Sequence, residues 1–104
     1  MTRIIGGSAR GRALKVPKSG TRPTSDRVRE SIFNLLDHRL GNWSEVRVLD
    51  LFAGSGAFAL EALSRGAQSA VCVERAKPAA DVISANAATL GFKVRVVVED
   101  AFRF

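Results

Sequence analysis

One cysteine, Cys72, and one histidine, His38, are the only thiol and imidazole in 104 residues. A lone thiol cannot build a disulfide framework or a thiolate metal set, so the expected compartment is reducing and the expected location cytoplasmic. His38 lies off the apolar stripe of its helix and has no paired ligand, which places it at the surface and predicts no metal site. Long hydrophobic runs are missing too. Nothing approaches the roughly 20 apolar residues that span a bilayer, and Met1-Thr2-Arg3-Ile4-Ile5-Gly6-Gly7 holds no sustained apolar segment. Neither secretion nor membrane insertion is expected. With 46% apolar residues in so short a chain, one small core is the ceiling.

Acidic residues are scarce at one end only. Residues 1–29 carry eight basic side chains against Asp26 alone, a net charge of +7, whereas residues 30–104 carry eight basic and nine acidic ones, a net −1. The two parts therefore meet different partners. A polyanion suits the first, because each Lys or Arg that neutralises a phosphate releases a condensed counterion.

Within that basic stretch, residues 3–17 contain short β-like pieces around Gly6, Gly7 and Gly11, a pattern that predicts a small hairpin. Arg3, Arg10, Arg12, Lys15 and the adjoining Lys18 would then face an RNA backbone from a slim ribbon. Lys18-Ser19-Gly20-Thr21 reads as a linker. Pro23 fits the start of a helix, with Thr24 or Ser25 as its amino cap and Asp26 favourable in the first turn. Val28, Ile32, Leu35 and Leu36 form an apolar stripe that predicts the buried face of this helix, which should end near Leu40-Gly41.

From Val46 onward the elements alternate: strand 46–51, helix 57–65, strand 70–74, helix 78–90 and strand 94–98. Pro78 suits a first helical turn and Gly91 a carboxyl end. Three strands this apolar predict an open, parallel α/β sheet with helices on each side and both faces of every strand buried. Each strand closes on or just before a carboxylate, Asp50, Glu74 and Asp100. Right-handed crossovers put all three at one sheet edge, lining one ligand crevice.

Asp50-Leu51-Phe52-Ala53-Gly54-Ser55-Gly56 carries most of the chemistry. Gly54 and Gly56 let backbone approach a ligand, and the helix that follows offers free N–H groups. Glu74, 20 residues beyond Gly54, stands where a second-strand carboxylate accepts ribose hydroxyls. Asp100 can accept from an adenine amine. Gly54-Ser55-Gly56-Ala57-Phe58-Ala59 also satisfies G-x-G-x-x-A, so a dinucleotide and an oxidoreductase compete for the site. Asp50 weighs against pyrophosphate and favours a cationic group such as the ammonium or sulfonium of S-adenosylmethionine.

These motifs resemble the cofactor motifs of class I methyltransferases. More narrowly, Arg3-Ile4-Ile5-Gly6-Gly7, Arg10-Gly11-Arg12 and Arg22-Pro23-Thr24-Ser25-Asp26-Arg27-Val28-Arg29-Glu30-Ser31-Ile32-Phe33-Asn34-Leu35-Leu36 look like the amino-terminal half of the bacterial small-subunit ribosomal RNA guanine-N2 methyltransferases. The resemblance covers essentially the whole chain. It implies a Rossmann-like methyltransferase sheet preceded by a hairpin and helix, and methyl transfer from S-adenosylmethionine to the exocyclic N2 of a guanine in 16S rRNA within the small ribosomal subunit. It implies cofactor contacts from Asp50, Gly54, Gly56, Glu74 and Asp100; Phe52, Ala53 and Ala101, beside these motifs, and Phe102, directly after the third-strand acid, are candidates for the same site. It also implies closure of the methionine end by Arg22, Thr24, Asp26 and Arg27. Residues 1–20 become an RNA-binding arm and 21–104 the first part of the cofactor domain.

Such enzymes also carry an Asn/Asp-Pro-Pro-Tyr/Phe motif that aligns the target amine. Prolines stand here only at 17, 23 and 78. No catalytic residue is therefore assigned in this chain, and it is expected to be an amino-terminal portion, inactive alone unless it serves as an RNA-binding module. Without a fourth strand, Val46 to Leu51 would form an exposed apolar edge prone to self-association. Cys72 is expected in the core, Trp43 packed at the sheet's entrance, and Phe58 in the core or at the ligand, as is Phe52.

Overall fold

In a computed structural model, which describes residues 2–17 and 25–104, β1 (Thr2–Arg3) pairs antiparallel with β2 (Ala13–Leu14). Helix α1 (Asp26–Leu40) follows, and then β3 (Arg47–Asp50), α2 (Ala57–Ser64), β4 (Ser69–Val73), α3 (Lys77–Leu90) and β5 (Arg95–Val97). The last three strands form a parallel sheet in the order β3-β4-β5, with Asp50 opposite Cys72 and Val73 opposite Val97. From β3 onward each element lies within a residue of its expected bounds. The expected open α/β sheet, preceded by a hairpin and a helix, is the fold.

Local chemistry explains the boundaries. The Ser25 hydroxyl accepts the Val28 N–H at 3.2 Å, capping α1 beside Asp26 in its first turn, and Gly41 closes the helix at φ 68°. Pro78 sits in the first turn of α3, where its missing N–H costs nothing, and Gly91 ends that helix at φ 76°. Pro23, Thr24, Lys18 and the linker 18–21 lie outside the described residues.

Two expectations fail. The stripe Val28, Ile32, Leu35, Leu36 is not the buried face of α1: Val28 is 50% and Leu35 56% exposed, only Leu36 packs partly against the core, and the buried residues are Arg29 and Phe33. Periodicity penalises an inward arginine, but Arg29 meets Glu61 at 3.5 Å and Asp26 at 3.1 Å, so its charge is compensated inside. That orientation lets Phe33 stack on Trp43, with ring centroids 5.8 Å apart, and touch Phe58 at 5.9 Å. Trp43 is packed as expected, its indole N–H donating to Asp37 at 2.7 Å.

The strands, moreover, are not all buried on both faces. Only β4, in the middle, contributes Ala70, Cys72 and Val73 to the core, while Leu49 of β3 is 53% exposed. β3 is an edge strand on which no described strand pairs outward. Beside it runs an apolar groove of about 440 Å³ lined by Phe33, Leu36, Trp43 and Phe58.

Cys72 is wholly buried, and that burial, with the nearby Asp50 charge, pushes its thiol up to about 12. The nucleophilic thiolate is thus suppressed by both access and charge. A thiol reagent at mildly alkaline pH is expected to label Cys72 only at the rate of unfolding. The check is labelling against denaturant concentration, and prompt labelling of the native chain would contradict this packing.

Candidate functional site

The ligand-facing end of the sheet is organised by Glu74. One carboxylate oxygen accepts the Gly54 N–H at 3.0 Å, the other accepts the Ala76 N–H at 2.9 Å, and the residue's own N–H donates to Val97 at 2.9 Å. One residue thereby ties together the loops that follow β3, β4 and β5. The glycine loop itself is closed by Gly56 N–H donating to Ala53 at 2.8 Å, while the Ala53 N–H reaches Val73 at 3.2 Å. Gly56 precedes α2 at φ 81°, and a Cβ there would lie 3.0 Å from Ile83, so both conformation and space require glycine.

These loops enclose a cleft of about 350 Å³ lined by Phe52, Gly54, Glu74, Glu99, Asp100, Ala101 and Phe102, with Arg75 at its side. Phe102 is 90% exposed and Phe52 72%, yet the rings meet edge to face, centroids 6.2 Å apart. Two solvated phenyl rings beside carboxylates form a surface on which a planar heterocycle can lie. Asp100 accepts the Phe102 N–H at 2.9 Å, which turns the chain so that Phe102 reaches the cleft.

Asp50 departs from the expected pattern. All three carboxylates stand at the carboxyl end of the sheet, but only Glu74 and Asp100 line the cleft, and Asp50 lines the neighbouring apolar groove. Its carboxylate turns back on its own loop to accept the Phe52 N–H at 3.2 Å. Burial raises its pKa above the usual carboxylate value, the Phe52 N–H offsets part of that, and the Glu74 charge adds to it.

The remaining expected residues divide. Ala53 is buried in the loop, and Gly56 shapes it without lining the cleft. Asp26, expected at a cofactor's methionine end, instead accepts from Arg29 at 3.1 Å and the Arg3 N–H at 3.4 Å. Arg27 is exposed on α1; Arg22, Thr24 and Lys18 lie outside the described residues. Arg3, Arg10, Arg12 and Lys15 are all exposed on the ribbon, with Arg12 reaching the Thr89 carbonyl at 3.2 Å.

The ribbon is no free arm. Ile4, Ala9 and Leu14 share a core with Ala57, Leu60 and Ala87. Glu61, wholly buried on α2, accepts the Ile5 and Gly6 N–H groups at 2.9 Å each and pairs with Arg65 at 2.9 Å and Arg29. Ser64 donates to the Gly6 carbonyl at 2.6 Å and accepts the Ala9 N–H at 2.9 Å. Sequence reasoning missed Glu61, Ser64, Arg65 and Asn86, and Arg75 and Glu99 at the cleft. Their only signal was polarity inside an apolar helix pattern, or adjacency to Glu74 and Asp100. Among the described residues no cluster of side chains could hold a metal ion, and no helix is long and apolar enough to cross a membrane.

A family model described as conserved hypothetical protein 95 matches residues 2–104. The chain belongs to that family. Among relatives of this member of the conserved hypothetical protein 95 family, ribosomal RNA small subunit methyltransferase D of Escherichia coli K12 is 48% identical over 104 residues, covering 98% of this chain and 51% of that protein. A solved hypothetical protein of Thermus thermophilus superposes with a TM-score of 0.89 at 43% identity, covering 100% of this chain and 58% of the other. The Escherichia coli protein yhhF superposes at 0.86 with 46% identity, covering 98% and 54%. The chain thus spans about half the length of the curated relatives it matches.

Proposed function

We propose that this chain provides the cofactor cleft and the RNA-facing ribbon of an S-adenosylmethionine-dependent methyltransferase acting on the exocyclic N2 of a guanine in 16S rRNA, in the small ribosomal subunit and the cytoplasm. The observation that carries the reading is the Glu74 cleft. The donor set fits the cofactor: each Glu74 oxygen holds one backbone N–H and keeps a lone pair for a ribose hydroxyl. The second Asp100 oxygen has no bond among the described residues and suits an adenine amine, and the touching rings of Phe52 and Phe102 offer a surface against which a purine can lie. Asp50 and Glu74 repel each other in the unliganded protein, which a cationic ligand relieves. Bound there, the cofactor supplies an electrophilic methyl group. The chain's own residues orient it, and none of them is assigned to the accepting amine.

On the other side, Arg3, Arg10, Arg12 and Lys15 present four cations from a ribbon whose backbone is fixed to α2 and α3. Such a surface follows a phosphate backbone without reading bases.

S-Adenosylhomocysteine is expected to bind this chain in calorimetry, and a nicotinamide dinucleotide is not. Glu74→Ala removes charge-assisted bonds and should weaken binding by about 10- to 100-fold. Because Asp50 has a raised pKa, it gains a proton as pH falls into that raised range, and the negative field that it lends the cleft from the neighbouring groove is lost. Affinity should therefore fall on acidification, and Asp50→Asn should flatten the dependence. Dinucleotide binding without S-adenosylhomocysteine binding would overturn the reading in favour of an oxidoreductase.

A further inference from the structure

Asn86 stands where the ribbon meets the glycine loop. It is 3% exposed, in the middle of α3, and its amide is used three times. Oδ1 accepts the Lys15 N–H at 2.9 Å, while Nδ2 donates to the Lys15 carbonyl at 2.9 Å and to the Ser55 carbonyl at 3.1 Å. The two bonds to Lys15 are those a neighbouring β-strand would make, so this side chain holds the Lys15 backbone by both of its polar groups. The third reaches the central residue of Gly54-Ser55-Gly56. Only one orientation of the amide works, since turning it over would set NH₂ against N–H and oxygen against two carbonyls.

Ser55 is itself buried, between Gly54, whose N–H meets Glu74, and Gly56, which opens α2. Among the described residues no direct hydrogen bond joins residues 2–17 to the loop 51–56, and Asn86 alone bonds to both. It spans a basic surface and a ligand cleft that otherwise belong to different parts of the molecule.

We propose that Asn86 is a positioning residue that couples RNA held on the ribbon to cofactor held in the cleft, an inference that rests on the function proposed above. It fixes the Ser55 carbonyl, and with it the peptide planes of the glycine loop, relative to the Lys15 backbone. A phosphate on the exposed Lys15 ammonium resists displacement of that backbone, and the Asn86 amide passes the restraint to the loop that meets the cofactor. The coupling is reciprocal by thermodynamic necessity: cofactor tightens RNA by the factor by which RNA tightens cofactor.

The test uses this chain, S-adenosylhomocysteine and a guanine-containing RNA hairpin. Saturating RNA is expected to tighten S-adenosylhomocysteine by about fivefold or more, the lower range of such couplings. Asn86→Asp keeps size and the acceptor but removes both donated bonds, and should bring the factor to about one; Asn86→Ala should do the same. A second measurement needs no ligand. In Asn86→Ala, which removes the acceptor of the Lys15 N–H as well as both donated bonds, amide exchange should accelerate at Lys15 and at residues 54–56 and stay unchanged in β4. A coupling factor that survives both substitutions, or exchange that rises uniformly through the core, would reduce Asn86 to a stability residue and overturn the proposal. If the unmodified chain binds no S-adenosylhomocysteine, the functional reading fails, and the exchange pattern still decides whether Asn86 sets the loop.

Discussion

Glu61→Ala is expected to remove most of the folding free energy of this chain. The carboxylate is wholly buried, accepts from three donors, the Ile5 and Gly6 N–H groups and the Arg65 guanidinium, and forms an ion pair with Arg29 at 3.5 Å. Removing one partner of a buried ion pair costs about 3–5 kcal/mol, because the other charge stays desolvated without compensation. Each backbone N–H orphaned in the interior adds about 1–3 kcal/mol. Against a total of roughly 5–15 kcal/mol for a domain, that is most of what holds the chain folded. Glu61→Gln should not rescue it, since one end of the amide would present N–H to a donor. In the Glu61→Leu background, Arg29→Met should recover part of the loss by removing the stranded cation. Urea denaturation followed by circular dichroism measures all four variants, and midpoints within error of the parent chain would refute the account.

Gly7→Ala is expected to unseat the ribbon. Gly7 adopts φ 81°, and a Cβ built there would lie 1.9 Å from the Ser64 carbonyl oxygen and 2.3 Å from its carbon. That neighbour is helix backbone, which cannot rotate away as a side chain would. The same carbonyl accepts the Ser8 N–H at 2.7 Å, so the substitution also disrupts a bond that fixes the ribbon to α2. Gly11→Ala supplies the control. It has nearly the same φ, 84°, but meets nothing within 4 Å, so it should lose only the conformational component, about 1–2 kcal/mol. Thermal melts of the two variants separate strain from collision, and equal melting temperatures would mean that the ribbon is not seated on Ser64.

How much of this was legible in the sequence follows from which interactions are local. Strands β3, β4 and β5 and the helices between them announce themselves through apolar runs, Pro78 and Gly91, as the end of α1 does through Gly41, all of which act within a few residues. The cleft was legible through Gly54, Glu74 and Asp100, because a parallel sheet brings strand ends to one edge whatever the intervening sequence. The buried face of α1 was not. Choosing Arg29 over Val28 depends on a carboxylate at position 61, and no periodicity within the helix carries that information. Asp50 misled for the opposite reason, being placed correctly on its strand and then turned aside by the Phe52 N–H beside it. Asn86 was invisible, since an asparagine in an alanine-rich helix looks like a surface residue until its three partners are known.

The stitching of the ribbon to α2 and α3 also sets an order of events during synthesis. Ile5 and Gly6 are made 56 and 55 residues ahead of their acceptor Glu61, and the partner of Lys15 is Asn86, 71 positions later. Contacts of such large separation pay the loop-closure entropy last. The ribbon therefore waits, uncovered and strongly cationic, until α3 has emerged, and it completes the fold rather than starting it.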